Sequence, residues 1–149
     1  MMKHYVVGLV FDIEMKNVLL LHRKKEPYQG LYNGVGGKVE QGENSYQAMI
    51  RELEEETGFL PINIKSSGYV ITISYDLEKK IDVYYFVLNE SEHRLPIGNV
   101  TNEGVLVWLN ISENHLLDAS HPEMAGDGNI AYFIQYAHKL EKDKNVGKP

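Results

Sequence analysis

The sequence predicts an α/β (α+β) fold, a mixed β-sheet with helices packed on its faces. Three observations carry that expectation: several short segments rich in β-branched and aromatic residues, two stretches with the apolar spacing of amphipathic helices, and a glycine-dense segment, LYNGVGGKVEQGE, between a strand and the first helix.

Tyr5 to Phe11 and Val18 to Leu21 are apolar, β-rich runs joined by the turn EMKN. The polar stretch HRKKEPYQG leads into the glycine-dense segment. Glycine at that density predicts a loop whose backbone comes close to something or turns through positive φ. A helix follows. Asn44 with Gln47 three residues on has the form of a capping box, and Gly58 stands where a C-terminal cap belongs. Between them Tyr46, Met49, Ile50, Leu53 and Thr57 recur at the spacing of a core-facing stripe. GYVITISYDLEKKIDVYYFVL predicts two strands joined by a charged hairpin turn. In it Tyr69, Ile71, Ile73 and Tyr75 alternate on one face, and VYYFVL is apolar enough to be buried on both. The polar loop NESEHRLPIGNVTNE precedes another strand, GVLVWL. Ile130, Phe133, Ile134, Ala137 and Leu140 then mark a second amphipathic helix. One domain over residues 1–141 is expected, with a frayed tail at 142–149.

Composition narrows the function classes. The 149 residues carry a net charge of −6, which argues against an extended nucleic-acid footprint. With no cysteine, disulfides and thiolate metal sites are excluded, and a cytoplasmic location is expected. The apolar run Tyr5 to Phe11 is too short to span a membrane and lacks the layout of a signal peptide. The six histidines form no metal-ligating spacing. A small-molecule enzyme or binder is the expected class.

The chemistry lies in RELEEE, residues 51–56. With Tyr46 at zero on a helical wheel, Glu56 falls near ~280°, Glu52 near ~240° and Glu55 near ~180°, while Glu54 stands apart near ~80°. Three carboxylates therefore share one arc bordering the core stripe. They repel one another at i, i+3 and i, i+4 and sit at the end of the helix dipole that disfavours anions, at a combined cost of about 1–3 kcal/mol. Only Arg51 compensates locally. Such a cluster calls for a cation, and an oxygen-only donor set selects Mg²⁺ or Mn²⁺ over Zn²⁺. The neighbouring glycine segment can bring main-chain groups to a metal or a phosphate, a setting for phosphate chemistry.

These residues resemble the Nudix box. Gly37, Glu43, Arg51, Glu52, Leu53, Glu55, Glu56, Gly58 and Phe59 match it with no departure at a fixed position. Coincidence is on the order of 10⁻⁸ per start site at ordinary composition. The resemblance implies the Nudix α/β/α sandwich and a hydrolase that cleaves a nucleoside diphosphate linked to another moiety, with Mg²⁺, or Mn²⁺ in its place, as cofactor and a nucleotide as partner. It assigns Glu52, Glu55 and Glu56 to the metal, Arg51 to orienting the adjacent glutamate, and the Gly36 carbonyl to the metal. A further acid from a late loop is expected at Glu103, five residues before Trp108. Glu43 is expected to stabilise the loop-to-helix junction.

Upstream, LHRKKEPYQGLYNGVGGKVEQGE looks like the MutT-type enzymes that hydrolyse oxidised purine triphosphates, including 8-oxo-dGTP diphosphatases. Their W-N-G-F-G-G-K is represented by Tyr32, Asn33, Gly34, Val35, Gly36, Gly37 and Lys38. The resemblance implies that Asn33 contacts the base, that Arg23, Lys38 and the two glycines lie at the substrate, and that the product chemistry serves nucleotide-pool sanitation and DNA repair. Asn-Gly is equally a hairpin signal, so Asn33 has two readings. Two departures stand out. Tyr32 replaces the tryptophan, and in the late loop HPEMAGDGN only Asp127 answers to the acidic residues of that subgroup. Trp108 belongs instead to a core strand. A dinucleoside polyphosphate or other nucleoside-diphosphate-linked substrate is the alternative within the same chemistry, and a nucleotide-sensing, non-catalytic module is the alternative outside it.

Overall fold

The computed structural model describes residues 2–26, 28–75, 77–113 and 129–144. Its strands are β1 (Lys3–Phe11), β2 (Asn17–Arg23), β3 (Tyr32–Asn33), β4 (Val35–Lys38), β5 (Ile64–Tyr75), β6 (Lys79–Leu88), β7 (Val100–Thr101) and β8 (Gly104–Asn110). The helices are α1 (Ser45–Thr57) and α2 (Asn129–Lys144). The sheet runs β5-β6-β1-β2-β8-β7, with β4 paired to β1 and β3 to β2. It is mixed, because β1 lies parallel to β6 while its other pairings are antiparallel.

Each face of the sheet carries one helix, and the alternation of side chains along the strands decides which. Val6 and Val10 of β1 and Phe86 and Leu88 of β6 point to one side, where they bury Ala48, Met49 and Leu53 of α1. Leu9 and Phe11, with Val83, Tyr85 and Val87, point to the other and bury Ile130, Phe133, Ile134 and Ala137 of α2. This is an α/β/α sandwich with a mixed sheet. Each fully buried Leu or Met contributes about 1.5–3 kcal/mol. Among the described residues, no helix is long and apolar enough to cross a membrane.

Helix α1 begins and ends where local chemistry requires. Asn44 accepts the Gln47 N–H at 2.9 Å, and the Gln47 side chain accepts the Asn44 N–H at 2.9 Å, a complete capping box. At the other end Gly58 takes the left-handed conformation, φ 83°, and donates its N–H to the Glu54 carbonyl at 2.9 Å.

The structure corrects four expectations. Tyr46 is 44% exposed, and Ala48 takes its place in the buried stripe. Tyr69 does not share a face with Ile71 and Ile73. A register shift between Tyr69 and Ile71 turns Tyr69 toward Tyr84 and the α1 face, while Ile71 and Ile73 pack on the α2 side. The glycine-dense segment contains strand as well as loop, since β4 pairs with β1 from Tyr5↔Lys38 to Gly8↔Val35. Lastly, α2 continues to Lys144, past the expected end at residue 141, because Lys144 reaches the Ser67 carbonyl and lies 5.3 Å from the Tyr85 ring centroid.

Candidate active site

Strand β4 packs against the C-terminal half of α1, and its two glycines let that approach happen: Gly36 is a steric necessity, and Gly37 leaves room for the Glu52 carboxylate where it stands. A Cβ at Gly36 would run into the Val6 carbonyl, and one at Gly37 would overlap the Glu52 carboxylate. Main chain and acid therefore come together. Gly36 donates its N–H to Glu56 Oε2 at 3.2 Å.

Arg51 organises the rest of the acidic arc. Its Nη1 donates to Glu52 Oε1 at 3.0 Å and to Glu55 Oε2 at 3.2 Å. Its Nη2 reaches Glu43 Oε1 at 2.7 Å and the Lys38 carbonyl at 3.0 Å. Glu43 also accepts the Glu40 N–H, which ties the loop to the helix. Arg51 beside Glu43 holds that carboxyl below its ordinary range. Glu54 is exposed and stands outside the cluster.

Glu56 is the most perturbed member. Burial pushes its pKa up, the neighbouring charge of Glu52 adds to this, and Glu103 contributes further. The Gly36 N–H and the Arg23 charge pull the other way, and the outcome is a value of about 8. Burial also raises Glu52, against the opposing bond from Arg51. Glu103 closes the arrangement from the far side. The β2–β8 register sets Arg23 opposite Gly104 and so brings the β7–β8 turn to the end of β2. Glu103 there borders a hollow of about 480 Å³ together with Glu52, Glu55, Glu56 and Lys24.

Among the described residues, no three carboxylates converge tightly enough to form a ready-made metal cage. The reason is geometric: Arg51 draws Glu52 and Glu55 toward itself while Glu56 turns to the Gly36 N–H. The donor set nonetheless fits a hard divalent ion. It is oxygen-only, and burial raises the pKa of both Glu52 and Glu56, with the charge of Glu52 raising Glu56 further.

On its other side the glycine strand faces a cleft of about 400 Å³. Gly36, Gly37 and Lys38 line it together with Arg23, Asn33 and Glu103. Glu103 thus borders both the cleft and the acidic hollow. Asn33 accepts the Gly34 N–H through Oδ1 at 2.8 Å and pairs with Leu21 as part of β3, so it is a strand residue and not a simple hairpin tip. Its side chain also faces a smaller hollow of about 40 Å³ toward α2. Tyr32 stacks on His22 with ring centroids 4.6 Å apart. Asp127 lies outside the described residues. Trp108 is on β8 and half-buried, with its indole Nε1 enclosed and lacking a hydrogen-bond partner.

Sequence reasoning missed Lys24, which faces the glutamates, and Tyr28, which lines both the cleft and the smaller hollow. Tyr28 adopts φ 69°, a conformation uncommon for a bulky residue. Neither carried a signal in periodicity or spacing. Two of the described histidines face carboxylates. His4 contacts Asp82 at 2.6 Å and His93 contacts Asp12 at 3.0 Å.

A glycine strand shared between half-buried acids and a cleft is an arrangement suited to metal-assisted chemistry on a phosphate-bearing ligand. Comparison with known proteins names the class. The NUDIX domain model matches residues 2–126, and the chain belongs to the Nudix family and is a hydrolase of it. Hydrolases of this family use divalent metal ions. The ADP-ribose pyrophosphatase of Methanocaldococcus jannaschii is 37% identical over 87 residues, 50% of this chain and 52% of that protein, so the match spans about half of that relative's length. An 8-oxo-dGTP diphosphatase of Haemophilus influenzae is 36% identical over 105 residues, 70% of this chain and 71% of the relative. A solved structure from work on MutT of Aliivibrio salmonicida and Vibrio cholerae matches with a TM-score of 0.66 at 25% identity, covering 91% of this chain and 98% of that one.

Proposed function

We propose that the protein is a divalent-cation-dependent pyrophosphohydrolase that cleaves a nucleoside triphosphate to the monophosphate and pyrophosphate, with an oxidised purine such as 8-oxo-dGTP as its preferred substrate. One juxtaposition carries the reading: Gly36 and Gly37 touch Glu56 and Glu52 on one side and line the cleft of Asn33 and Arg23 on the other. A nucleotide in that cleft would present its phosphates to the acids across a wall with no side chains. Glu52, Glu55, Glu56 and Glu103 are the residues to hold Mg²⁺, or Mn²⁺ in its place, with the Gly36 main chain beside them. A bound divalent ion supplies charge neutralisation on the anhydride oxygens and a more acidic water. Arg51 keeps Glu52 and Glu55 oriented, and Arg23 and Lys38 offer cationic contacts to phosphate. Asn33, with a donor and an acceptor on one amide, suits a purine edge.

A second reading has support of its own. The hollow of about 40 Å³ beside Asn33 has room for a few waters and not a purine, which favours the larger cleft for the ring, and that cleft also suits a nucleoside diphosphate linked to a sugar. The relative named ADP-ribose pyrophosphatase favours the same alternative.

The deciding measurement is product release with Mg²⁺ from 8-oxo-dGTP, dGTP, dATP, diadenosine tetraphosphate and ADP-ribose, with Glu56→Gln as control. Pyrophosphate released fastest from 8-oxo-dGTP, and lost in the variant, is the expected result. Preference for ADP-ribose or the dinucleotide would overturn the triphosphate assignment and leave the metal site standing. Tight binding without turnover of any compound would point to a sensing module.

A further inference from the structure

Arg23 of the cleft meets Glu103 where that residue borders both the cleft and the acidic hollow. Arg23 Nη1 donates to Glu103 Oε2 at 2.8 Å. The two ends of the pair differ. The Arg23 side chain is 14% exposed and lines the cleft, whereas that of Glu103 is 49% exposed and borders both spaces. The backbone beneath them is tied down. Lys24 donates its N–H to the Glu103 carbonyl at 2.9 Å, and Glu103 donates its own N–H to Thr101 Oγ1 at 3.1 Å. Any change of partner therefore falls to the Glu103 side chain, which has rotamers and solvent to move in.

Resting on the hydrolase reading above, we propose that Arg23 and Glu103 are an exchangeable ion pair: a substrate phosphate takes Arg23 as a divalent cation takes Glu103, so that each ligand prepares the site for the other. The charge arithmetic favours exchange in one concerted set. A cation that draws Glu103 away on its own leaves a mostly buried guanidinium, which cannot shed its charge, to carbonyl partners such as those of Lys25 and Glu26 at 3.4 and 3.5 Å, with no help from this carboxylate. A phosphate that takes Arg23 on its own leaves Glu103 without its cation beside the acidic residues of the hollow, Glu52 among them, which repel its charge. When both bind, Arg23 keeps an anion with two or more oxygens for its fork and Glu103 gains a cation. The pair thus converts two separate binding events into coupled ones, and the coupling is reciprocal.

The test uses titration calorimetry on the wild type, Arg23→Gln and Glu103→Gln, with Mn²⁺ alone and then with pyrophosphate alone in the presence of a chelator. A crossed pattern is expected. Arg23→Gln tightens Mn²⁺ by about two- to fivefold, the range for releasing a partly exposed ion pair, and weakens pyrophosphate. Glu103→Gln does the reverse, tightening pyrophosphate and weakening Mn²⁺. Arg23→Lys, which retains the charge, leaves Mn²⁺ affinity near the wild-type value, and melting curves establish that each variant is folded. Weaker or unchanged Mn²⁺ binding in Arg23→Gln would overturn the exchange, since a residue that merely orients Glu103 for the cation would act in that direction. A wild type that binds neither probe would overturn the hydrolase reading along with it.

Discussion

Two carboxylates that lose much of their water, Asp12 and Glu56, have opposite fates. Asp12, at the end of β1, is 4% exposed, and burial by itself would raise its pKa. Four donors outweigh that: the Asn17 side chain at 2.7 Å, His93 at 3.0 Å, and the N–H groups of Asn17 and Lys16 at 3.1 and 2.9 Å. Its pKa ends below the ordinary value. Glu56 is half-buried, and among the described residues it receives only the Gly36 N–H at 3.2 Å, so burial and the charges of Glu52 and Glu103 drive its pKa the other way, to about 8. Burial is thus no mark of function. What separates a structural acid from one awaiting a cation is the count of donors aimed at it.

The sharpest way to break this comparison is Glu56→Gln. Hydrolysis should fall on the order of 10²–10³-fold, the range for removing one charge-stabilising group, while the thermal midpoint holds or rises because a repelled acid has gone. Initial rates and melting curves on the same preparation test both halves. A lower midpoint would make Glu56 structural after all. Next in size is the response to metal. Mg²⁺ at a hundredfold excess over its Kd should stabilise the wild type by about 2.7 kcal/mol and have little effect on Glu56→Gln, as read by thermal shift with and without a chelator. Asp12→Ala should invert the first result. It removes a satisfied acceptor and strands its donors, costing about 1–3 kcal/mol in urea unfolding, while the folded variant keeps its kcat/KM. The smallest effect is in pH. Because the folded pKa of Asp12 lies below the ordinary 3.8, its stabilisation is fully present above that value and fades as pH falls through the folded pKa. The gap in melting temperature between wild type and Asp12→Asn should therefore be constant from pH 7 to about 5 and close below about 3.8. A gap that widened in acid would contradict the assignment.

How much of this could be read from the sequence follows from the range of the forces involved. The α1 caps and the shared arc of Glu52, Glu55 and Glu56 were legible because capping bonds and helical spacing act over three or four residues. The sandwich followed from strand and helix patterning, and the solved structures of the family bear it out. Tyr46 was misassigned because a wheel locates the edge of a stripe no better than one residue in either direction. Tyr69 was misassigned because a bulge in β5 is set by its pairing with β6, which no alternation along β5 alone reveals. Strand character in the glycine segment was hidden for a related reason: β4 is held by β1, thirty residues away. Lys24 and Tyr28 reach the site only through the β2–β8 register and the turn at 28–31, which are tertiary facts.

The sheet order leaves β5 on one rim, with twelve residues of strand and no neighbour on its outer side among the described residues. A straight strand of that length would offer a row of main-chain groups on which another molecule could crystallise its own strand, and sheets so extended grow into aggregates. The two register shifts, at Ile64/Ser66 and Tyr69/Ile71, bend that row twice. The irregularity that misleads a reader of the sequence is thus also a safeguard: it spoils the template that a rim strand would otherwise present to its own kind in a crowded solution.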